Sequence, residues 1–584
     1  MKQNGLDFKR GKSNIGNVVL DTLVNHGIDN LEEFKEIDMT NVPFLNPSML
    51  SNIDLAYNRV NKALINHEKI GIVVDGDADG FASAALLYKA LYDLSGDNVH
   101  LYTAGVKSHG LSPIFEGLVN ENFDVIITPD SSSNDDFFHE KFKKLGTDII
   151  VLDHHIIDDN EEALESPAII VNNQNNDNSD TNENYVGVGM VYLFLKYMNE
   201  KNGNMDLDSF LPLFALGQIT DMSDISDPEI KAQVDRGLSL FKEHLLFQQF
   251  VGNITPSSHK VSFEIAPKIN AVARVGSLED RYNLLYALAE TLDENETDVF
   301  VKNRKNKVTG EMESHPVTLT KYQQEYDALL KIKGKQDRLV KKVVENLEYI
   351  SHKEDGLVIA KIENDTPSSI TGLLANRIIS KTQTPAMVIK EFGKDSGSYI
   401  GSMRCPGGFE FRTWLNETGF VLSSGHEQAA GVEGYFDNIE SLLESANDLD
   451  ISQNYYDVDE IYNEYTADIK PVEDINKQIG LFGGAIKEPV LGFKSIPINK
   501  SHIHVRNSVI TFTYNKINFI MFNGASFVDW LMDSGFQSTF YFDIVGSAGE
   551  NTWNNKTTPQ VIIKDIAVTK KARVQIEKPE DMVF

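Results

Sequence analysis

Residues 70–80, Ile70-Gly-Ile-Val-Val-Asp75-Gly-Asp77-Ala-Asp79-Gly80, decide how the rest of the chain is read. An apolar, β-branched run leads without a break into aspartates spaced two apart. A short apolar run closed by polar residues reads as a buried strand of a parallel sheet. Ligands of such sheets bind at the carboxyl ends of the strands. The same pattern recurs downstream: Val125–Thr128 runs into Pro129-Asp130, Ile149–Leu152 into Asp153-His154-His155, and Phe214–Thr220 into Asp221. Read as strand ends, these segments would deliver carboxylates and imidazoles to one rim. Hard oxygen donors with one or two imidazoles suit Mn²⁺ or Mg²⁺ better than a thiolate-loving metal.

Asp-x-Asp-x-Asp-Gly also opens a calcium loop of the helix–loop–helix kind. That loop needs a preceding helix and a bidentate Glu at its twelfth position; here the preceding segment reads as a strand and the twelfth residue from Asp75 is Leu86. Carboxylates two apart at a strand end instead point the same way and can share a metal pair, and Gly80 permits a tight turn into a helix starting near Phe81-Ala-Ser. In Asp153-His154-His155 one imidazole would serve a metal and the next a substrate phosphate, with Asp153 orienting the first. Each residue alone has a plainer reading: a surface histidine pair, or turn residues at Asp130 and Asp221. Their conjunction is what points to a site.

A chain of 584 residues is too long for one core and implies several domains. Its hydrophobic fraction of 41% and charged fraction of 24% lie in the ordinary globular range. The opening MKQNGLDFKRGKSN has no apolar h-region, and no run approaches the roughly 18 apolar residues of a membrane span. Cys405 is the only cysteine, which excludes an intrachain disulfide and fits a reducing cytoplasm. The net charge of −32 argues at first sight against a nucleic-acid partner, although part of the excess sits in the candidate metal clusters. Basic residues also gather locally, as Lys302, Arg304, Lys305 and Lys307, then Lys331, Lys333, Lys335, Arg338, Lys341 and Lys342. On charge pattern alone such a run is a solvated helix face.

Residues 1–50 read as a short helical segment, and 51–240 as a doubly wound α/β domain interrupted by the polar loop Asn172–Asn184. Residues 241–350 read as a helical connector and 351–450 as a second α/β domain. Within 451–584, Gln453–Tyr465 reads as a helical linker and the remainder as a small β-barrel. The second domain carries Gly401-Ser402-Met403-Arg404 and Ser423-Ser424-Gly425-His426-Glu-Gln-Ala-Ala-Gly431. Small residues around His426 let backbone approach a ligand, and Arg404 could hold a phosphate. Neither a Gly-x-Ser-x-Gly elbow nor a Walker-type phosphate loop is present.

With these residues in view, the chain resembles the DHH phosphoesterases, and among them the RecJ-like single-strand-specific DNA exonucleases. The family pattern is matched by Asp75/Asp77/Asp79, Asp130, Asp153-His154-His155 and Asp221, and its GGHxxAAG motif by Ser424–Gly431 with serine in the first glycine's place. Asn270-Ala-Val-Ala-Arg274, Gly401–Arg404 and the barrel entry Gly483–Pro489 match RecJ-like segments. Asn364–Pro367 stands where a Trp-His pair is usual, and Lys107 where an arginine helps bind the 5′ end.

The resemblance implies two divalent ions, Mn²⁺ or Mg²⁺, about 3.5–4 Å apart, held by Asp75, Asp77, Asp130, His154 and Asp221. Asp79, Asp153 and His155 complete the implied catalytic set. Phosphates would be held by His155, Lys107, Asn270, Arg274, Ser402, Arg404, Ser424, Gly425 and His426. The C-terminal barrel would be an oligonucleotide-binding (OB) fold, with Phe512, Tyr514, Phe519 and Trp553 as stacking candidates, although alternate strand residues face inward. The implied activity is hydrolysis of single-stranded DNA from the 5′ end by a cytoplasmic, membrane-free monomer, with a single-strand-binding protein or helicase as partner. Two rivals stand beside it: a phosphodiesterase of short oligonucleotides or cyclic dinucleotides, and a non-catalytic replication scaffold, which would have lost metal ligands.

Overall fold

In the computed structural model the apolar runs do not all take the same form. Ile70–Val73, Val125–Pro129 and Asp148–Asp153 are strands of a five-stranded parallel sheet, in the order Val99–Tyr102, Ile70–Val73, Val125–Pro129, Asp148–Asp153, Ile169–Asn172. Residues 214–220, expected as a strand, belong instead to the helix Leu211–Thr220, buried along nearly its whole length. A run of this length that is apolar on every side suits a buried helix as well as a strand, and Pro212 fits the first helical turn. Asp221 therefore reaches the rim from a helix C-terminus. The structure describes residues 5–569 except 14, 105–108, 158–165, 175–180, 204, 306–311, 383, 394–395, 407–408, 448–454, 484–485, 507–508, 523, 525–526, 529, 532–537 and 554–555. Lys107, Lys307 and the middle of the Asn172–Asn184 loop lie outside the described residues.

Helices Ala78–Ser95, Gly187–Asn202 and Leu211–Thr220 pack on one another. A separate apolar cluster joins Phe123, Ile126, Phe142 and Val151 to Leu118 on the helix Phe115–Glu121. The sheet is thus doubly wound, as its βαβ rhythm predicts. The connector is helical at Ala266–Val275, Leu278–Leu288 and Lys321–Glu345, but it also holds a hairpin, Thr297–Lys305 with Met312–Thr320. The second α/β domain is a six-stranded mixed sheet whose core includes Ile359, Ile389, Tyr399 and Phe411.

Residues 37–452 form one compact unit; residues 1–36 and 453–584 form another. In the second, the opening segment, expected to be helical, begins with the strand Asp7–Arg10, parallel to Tyr455–Val458. The linker expected to be helical is also extended, as Tyr455–Val458 and Glu460–Asn463. Its tyrosines, valine and isoleucine favour strands, and pairing with distant partners fixes the choice. A seven-stranded sheet follows, running from Glu460–Asn463 to His504–Arg506. Phe512 and Phe519 face each other across adjacent strands, are 2% and 0% exposed, and stack at 5.2 Å. They are core residues and cannot also be base platforms. The Tyr514 hydroxyl donates to the Glu464 carbonyl at 2.8 Å. The Trp553 side chain lies outside the described residues. Among the described residues, no helix is long and apolar enough to cross a membrane.

Candidate metal centre

The strand Ile70–Val73 ends just before Asp75, which is 4% exposed. Asp77 caps the next helix: its Oδ1 accepts from the backbone N–H groups of Asp79 and Gly80, both at 3.1 Å. The orphan amides of a helix N-terminus thus fix one carboxylate oxygen, and the helix dipole favours the negative charge there. Asp79 lies in the first turn, buried. Its Oδ1 accepts from Val188 N–H at 3.1 Å, while its Oδ2 is buried with no hydrogen-bond partner. Asp130 follows its strand in the left-handed region, φ 62°, and its amide is fixed on the Leu152 carbonyl at 2.9 Å.

Asp153 closes its strand fully buried. Its Oδ1 accepts from His154 N–H at 2.8 Å, His155 N–H at 3.3 Å and His155 Nδ1 at 2.7 Å, and its Oδ2 from Ser133 N–H at 3.1 Å. The expectation that Asp153 orients the first imidazole is therefore corrected. It orients the ring of the second, and reaches the first only through its backbone, because the chain turns around the carboxylate. His154 Nε2 lies 3.2 Å from Asp130 Oδ1 and 3.5 Å from Asp221 Oδ2.

Donor atoms gather within 4.8 Å of one another in three groups: Asp75/Asp77/Asp130; Asp79/His154/Asp221; and Asp130/Asp153/His154/His155. The first two share no residue, and the third joins them through Asp130 and His154, so the cluster offers two adjoining donor sets. Close approach of backbone makes room for it. A Cβ on Gly187 would collide with Cβ and Oδ1 of Asp130, and one on Gly217 would collide with Asp79 Oδ1.

Crowding shows in the protonation. Burial, then the charges of Asp79, Asp77, Asp75 and Asp221, holds Asp130 well above the usual carboxylate range. Burial with Asp221 and Asp77 does the same to Asp79, and burial with Asp77 pushes Asp221 up to about 7. Burial and the neighbouring His155 lower His154 to about 4. Both shifts disfavour the charged forms, so the contact of His154 with Asp130 is held against ion-pair formation. Asp153 goes the other way: burial alone would raise it, but the bond and charge of His155, the charge of His154 and the Ser133 amide hold it well below the usual range. Burial would lower His155, but the hydrogen bond and the charge of Asp153 together raise it. His109, which no sequence pattern singles out, places Nδ1 2.9 Å from Asp75 Oδ1. Its ring is more than half exposed, and no periodicity marks it.

This donor set fits divalent cations. Carboxylates raised by burial and mutual repulsion, a buried oxygen without a partner and an imidazole of lowered basicity are the surroundings that a hard dication relieves.

An oppositely charged wall faces this rim. Arg274 ends the helix Ala266–Val275, and Arg404 ends the strand Ser398–Arg404. Burial and the neighbouring Arg274 push Arg404 down to about 10. Burial lowers Arg274, against the pull of Asp77. Arg404 Nη1 donates to the Met403 carbonyl at 2.7 Å, and Gly372 makes room for the guanidinium: a Cβ there would lie 2.6 Å from Nη2. Two close guanidiniums without a carboxylate partner among the described residues make an anion site. Ser402 Oγ lies 2.8 Å from Thr371 Oγ1, and Asn270 Oδ1 is buried with no partner. His426 feels the charges of His155, Arg412, Asp77 and Arg404. Ser424 and Gly425 precede it, exposed, on the strand Val421–His426, Gly425 at φ 122°. A cavity of about 650 Å³ lies elsewhere, against the helices Leu278–Leu288 and Lys321–Glu345, and none of these residues lines it.

Residues 69–218 match the DHH family, N-terminal domain, and residues 462–565 match the RecJ OB domain. The chain is thus similar to the DHH family in its N-terminal half and to RecJ in its C-terminal barrel. A SPbeta prophage-derived protein of Bacillus subtilis (strain 168), provisionally named single-strand DNA-specific exonuclease YorK, is 28% identical over 96% of this chain and 97% of its own. The single-stranded-DNA-specific exonuclease RecJ of the same organism is 24% identical over 94% of this chain and 68% of its own. Among solved structures, RecJ of Thermus thermophilus in complex with Mn²⁺ superimposes with a TM-score of 0.66 at 17% identity, covering 95% of this chain and 76% of that one. The RecJ-like fold therefore extends over both compact units.

Proposed function

We propose that this RecJ-like chain hydrolyses phosphodiester bonds of single-stranded DNA, working from the 5′ end with two divalent cations, Mn²⁺ or Mg²⁺. The observation that carries the reading is the pair of adjoining donor sets, Asp75/Asp77/Asp130 and Asp79/His154/Asp221, near two partly buried arginines. Its relatives' names and the metal-bound Thermus structure support it. Bound there, divalent cations supply Lewis-acid stabilisation of phosphate oxygens and a more acidic water.

The protein's own groups do the rest. Arg274 and Arg404 draw the phosphate to the rim, and Ser402, held by Thr371, adds a hydroxyl beside them. His155, fixed through Nδ1 on Asp153 and raised by it, is suited to donate from Nε2 to a phosphate or leaving oxygen. The scaffold reading is disfavoured because every expected donor type is in place. The small-substrate reading is disfavoured by the RecJ OB domain, which such substrates do not need. A cytoplasmic site of action and association with a single-strand-binding protein or helicase complete the proposal.

Digestion of single- and double-stranded DNA labelled at either end, with Mn²⁺, Mg²⁺ or EDTA, tests it. A 5′ label on single strands should be released first as a small product, only with metal. Cleavage in EDTA would overturn the metal assignment, and first release of a 3′ label would overturn the polarity.

A further inference from the structure

We propose that the helix Lys321–Glu345 carries a second nucleic-acid contact, a track for phosphates of the strand distant from the bond being cut. The proposal rests on the nuclease reading. Lys331, Lys335, Arg338 and Lys342 follow one another at spacings of four, three and four residues and are all exposed. At 100° per residue they fall within about 60° of arc and span about 16 Å of helix. Lys341 flanks them. The buried stripe of the same helix, including Leu329, Ile332, Gln336 and Val340, lies on the other side.

Pairing separates this row, with Lys341 beside it, from Lys321 and Lys333. Lys321 is tied to Glu296 at 2.8 Å and Asp298 at 3.1 Å, and Lys333 to Asp337. Among the described residues, Lys331, Lys335, Arg338 and Lys342 have no carboxylate at ion-pair distance. Asp327 and Glu345 fall on the same face beyond its two ends and bound it. An ordinary solvated helix alternates signs at i,i+4, because like charges there are destabilising. In a chain of net charge −32, an unrelieved cationic row is the opposite of the average surface. Neighbouring side chains of the row are about 5–6 Å apart at Cβ, the scale of successive phosphates on an extended strand. A polyanion relieves the row's self-repulsion and releases counterions on binding.

The test is equilibrium binding of the full chain, in EDTA, to a long and a very short thymidine oligonucleotide over a range of salt. It compares the wild type, the K331Q/K335Q/R338Q/K342Q variant and the charge-retaining K331R/K335R/K342R variant. Glutamine keeps helix propensity close to that of lysine and arginine, and circular dichroism verifies folding. For the long strand, the salt slope of the glutamine variant should fall by about 0.7 for each phosphate no longer engaged, roughly 3 in all, with at least about tenfold weaker binding at low salt. Short-strand binding, and Mn²⁺-supported turnover of the short strand, should stay unchanged, and the arginine variant should match the wild type. An unchanged slope, or equal weakening for both lengths, would overturn the track while leaving the nuclease reading intact. A wild type that neither binds nor cuts either strand would overturn both.

Discussion

The carboxylate rim and the arginine wall of residues 37–452 face each other with opposite charge and are assembled by different means. The rim takes Asp75, Asp130 and Asp153 from the carboxyl ends of three adjacent parallel strands, so one sheet aligns them. The wall takes Arg274 from a connector helix and Arg404 from a mixed sheet far along the chain, with Gly372 leaving the guanidinium its space. In the rim, burial of like charges raises the carboxylates, which a bound cation would relieve. In the wall, burial of like charges leaves guanidiniums that cannot usefully lose their protons, so only an anion relieves them. One side thus favours a bound cation and the other a bound anion, for the same physical reason.

The largest effect expected from this contrast is at Asp130, which belongs to two of the donor groups. Asp130→Asn should lower metal-dependent cleavage roughly a thousandfold while raising the melting temperature in chelator at alkaline pH, where the amide cannot add a charge to a crowded site. A variant that cleaves at the wild-type rate would break the rim assignment.

Next comes the space behind that residue. Gly187→Ala forces Asp130 to move, and a displacement of the order of 1 Å should cost about a hundredfold in turnover; overpacking should also cost about 1–3 kcal/mol of stability. Unchanged kinetics in a folded variant would show that Asp130 tolerates displacement.

On the wall, Arg404→Ala should weaken single-strand binding about tenfold and reduce the salt slope by about 0.7, with Mn²⁺ affinity measured by calorimetry unchanged. Lost metal affinity would merge wall and rim into one device.

The smallest effect is a pH dependence of the metal-free protein. Asp221 is raised to about 7 in the folded state, so the native chain binds more protons than the unfolded chain between the ordinary carboxylate pKa of 3.8 and that value. Its stabilising contribution is full below the ordinary pKa and is lost as pH rises through about 7; Asp130 and Asp79 act in the same direction. Melting in EDTA across this range should show a falling melting temperature, which saturating Mn²⁺ abolishes. A rise with pH in EDTA would contradict the crowding argument.

Much of the rim was legible because a strand end is a local event: an apolar run, a polar stop, a turn. Asp221 was legible as a member of the set but not as the end of a helix, since Leu211–Thr220 is apolar on every side and carries no period. The role of Asp153 was read one residue off, because which ring turns back onto the carboxylate depends on the loop path. His109 and Gly187 gave no pattern, as each acts through a residue far away in sequence. Phe512 and Phe519 were legible as strand aromatics, but only cross-strand pairing shows both turned into the core. The extended course of residues 455–463 depends likewise on distant partners, Asp7–Arg10 and Val490–Asn499.

By itself, then, the sequence determined the doubly wound domain, its acidic strand ends and the change of texture toward a β-rich C-terminus, because hydrophobic periodicity and turn chemistry act over a few residues. The tertiary structure alone decided which oxygens share a donor set, which carboxylates are raised and which lowered, which ring Asp153 fixes and where two arginines come together. Electrostatic interaction and steric closeness depend on distance in space, and in this chain the residues that matter most to one another are separated by tens to hundreds of positions.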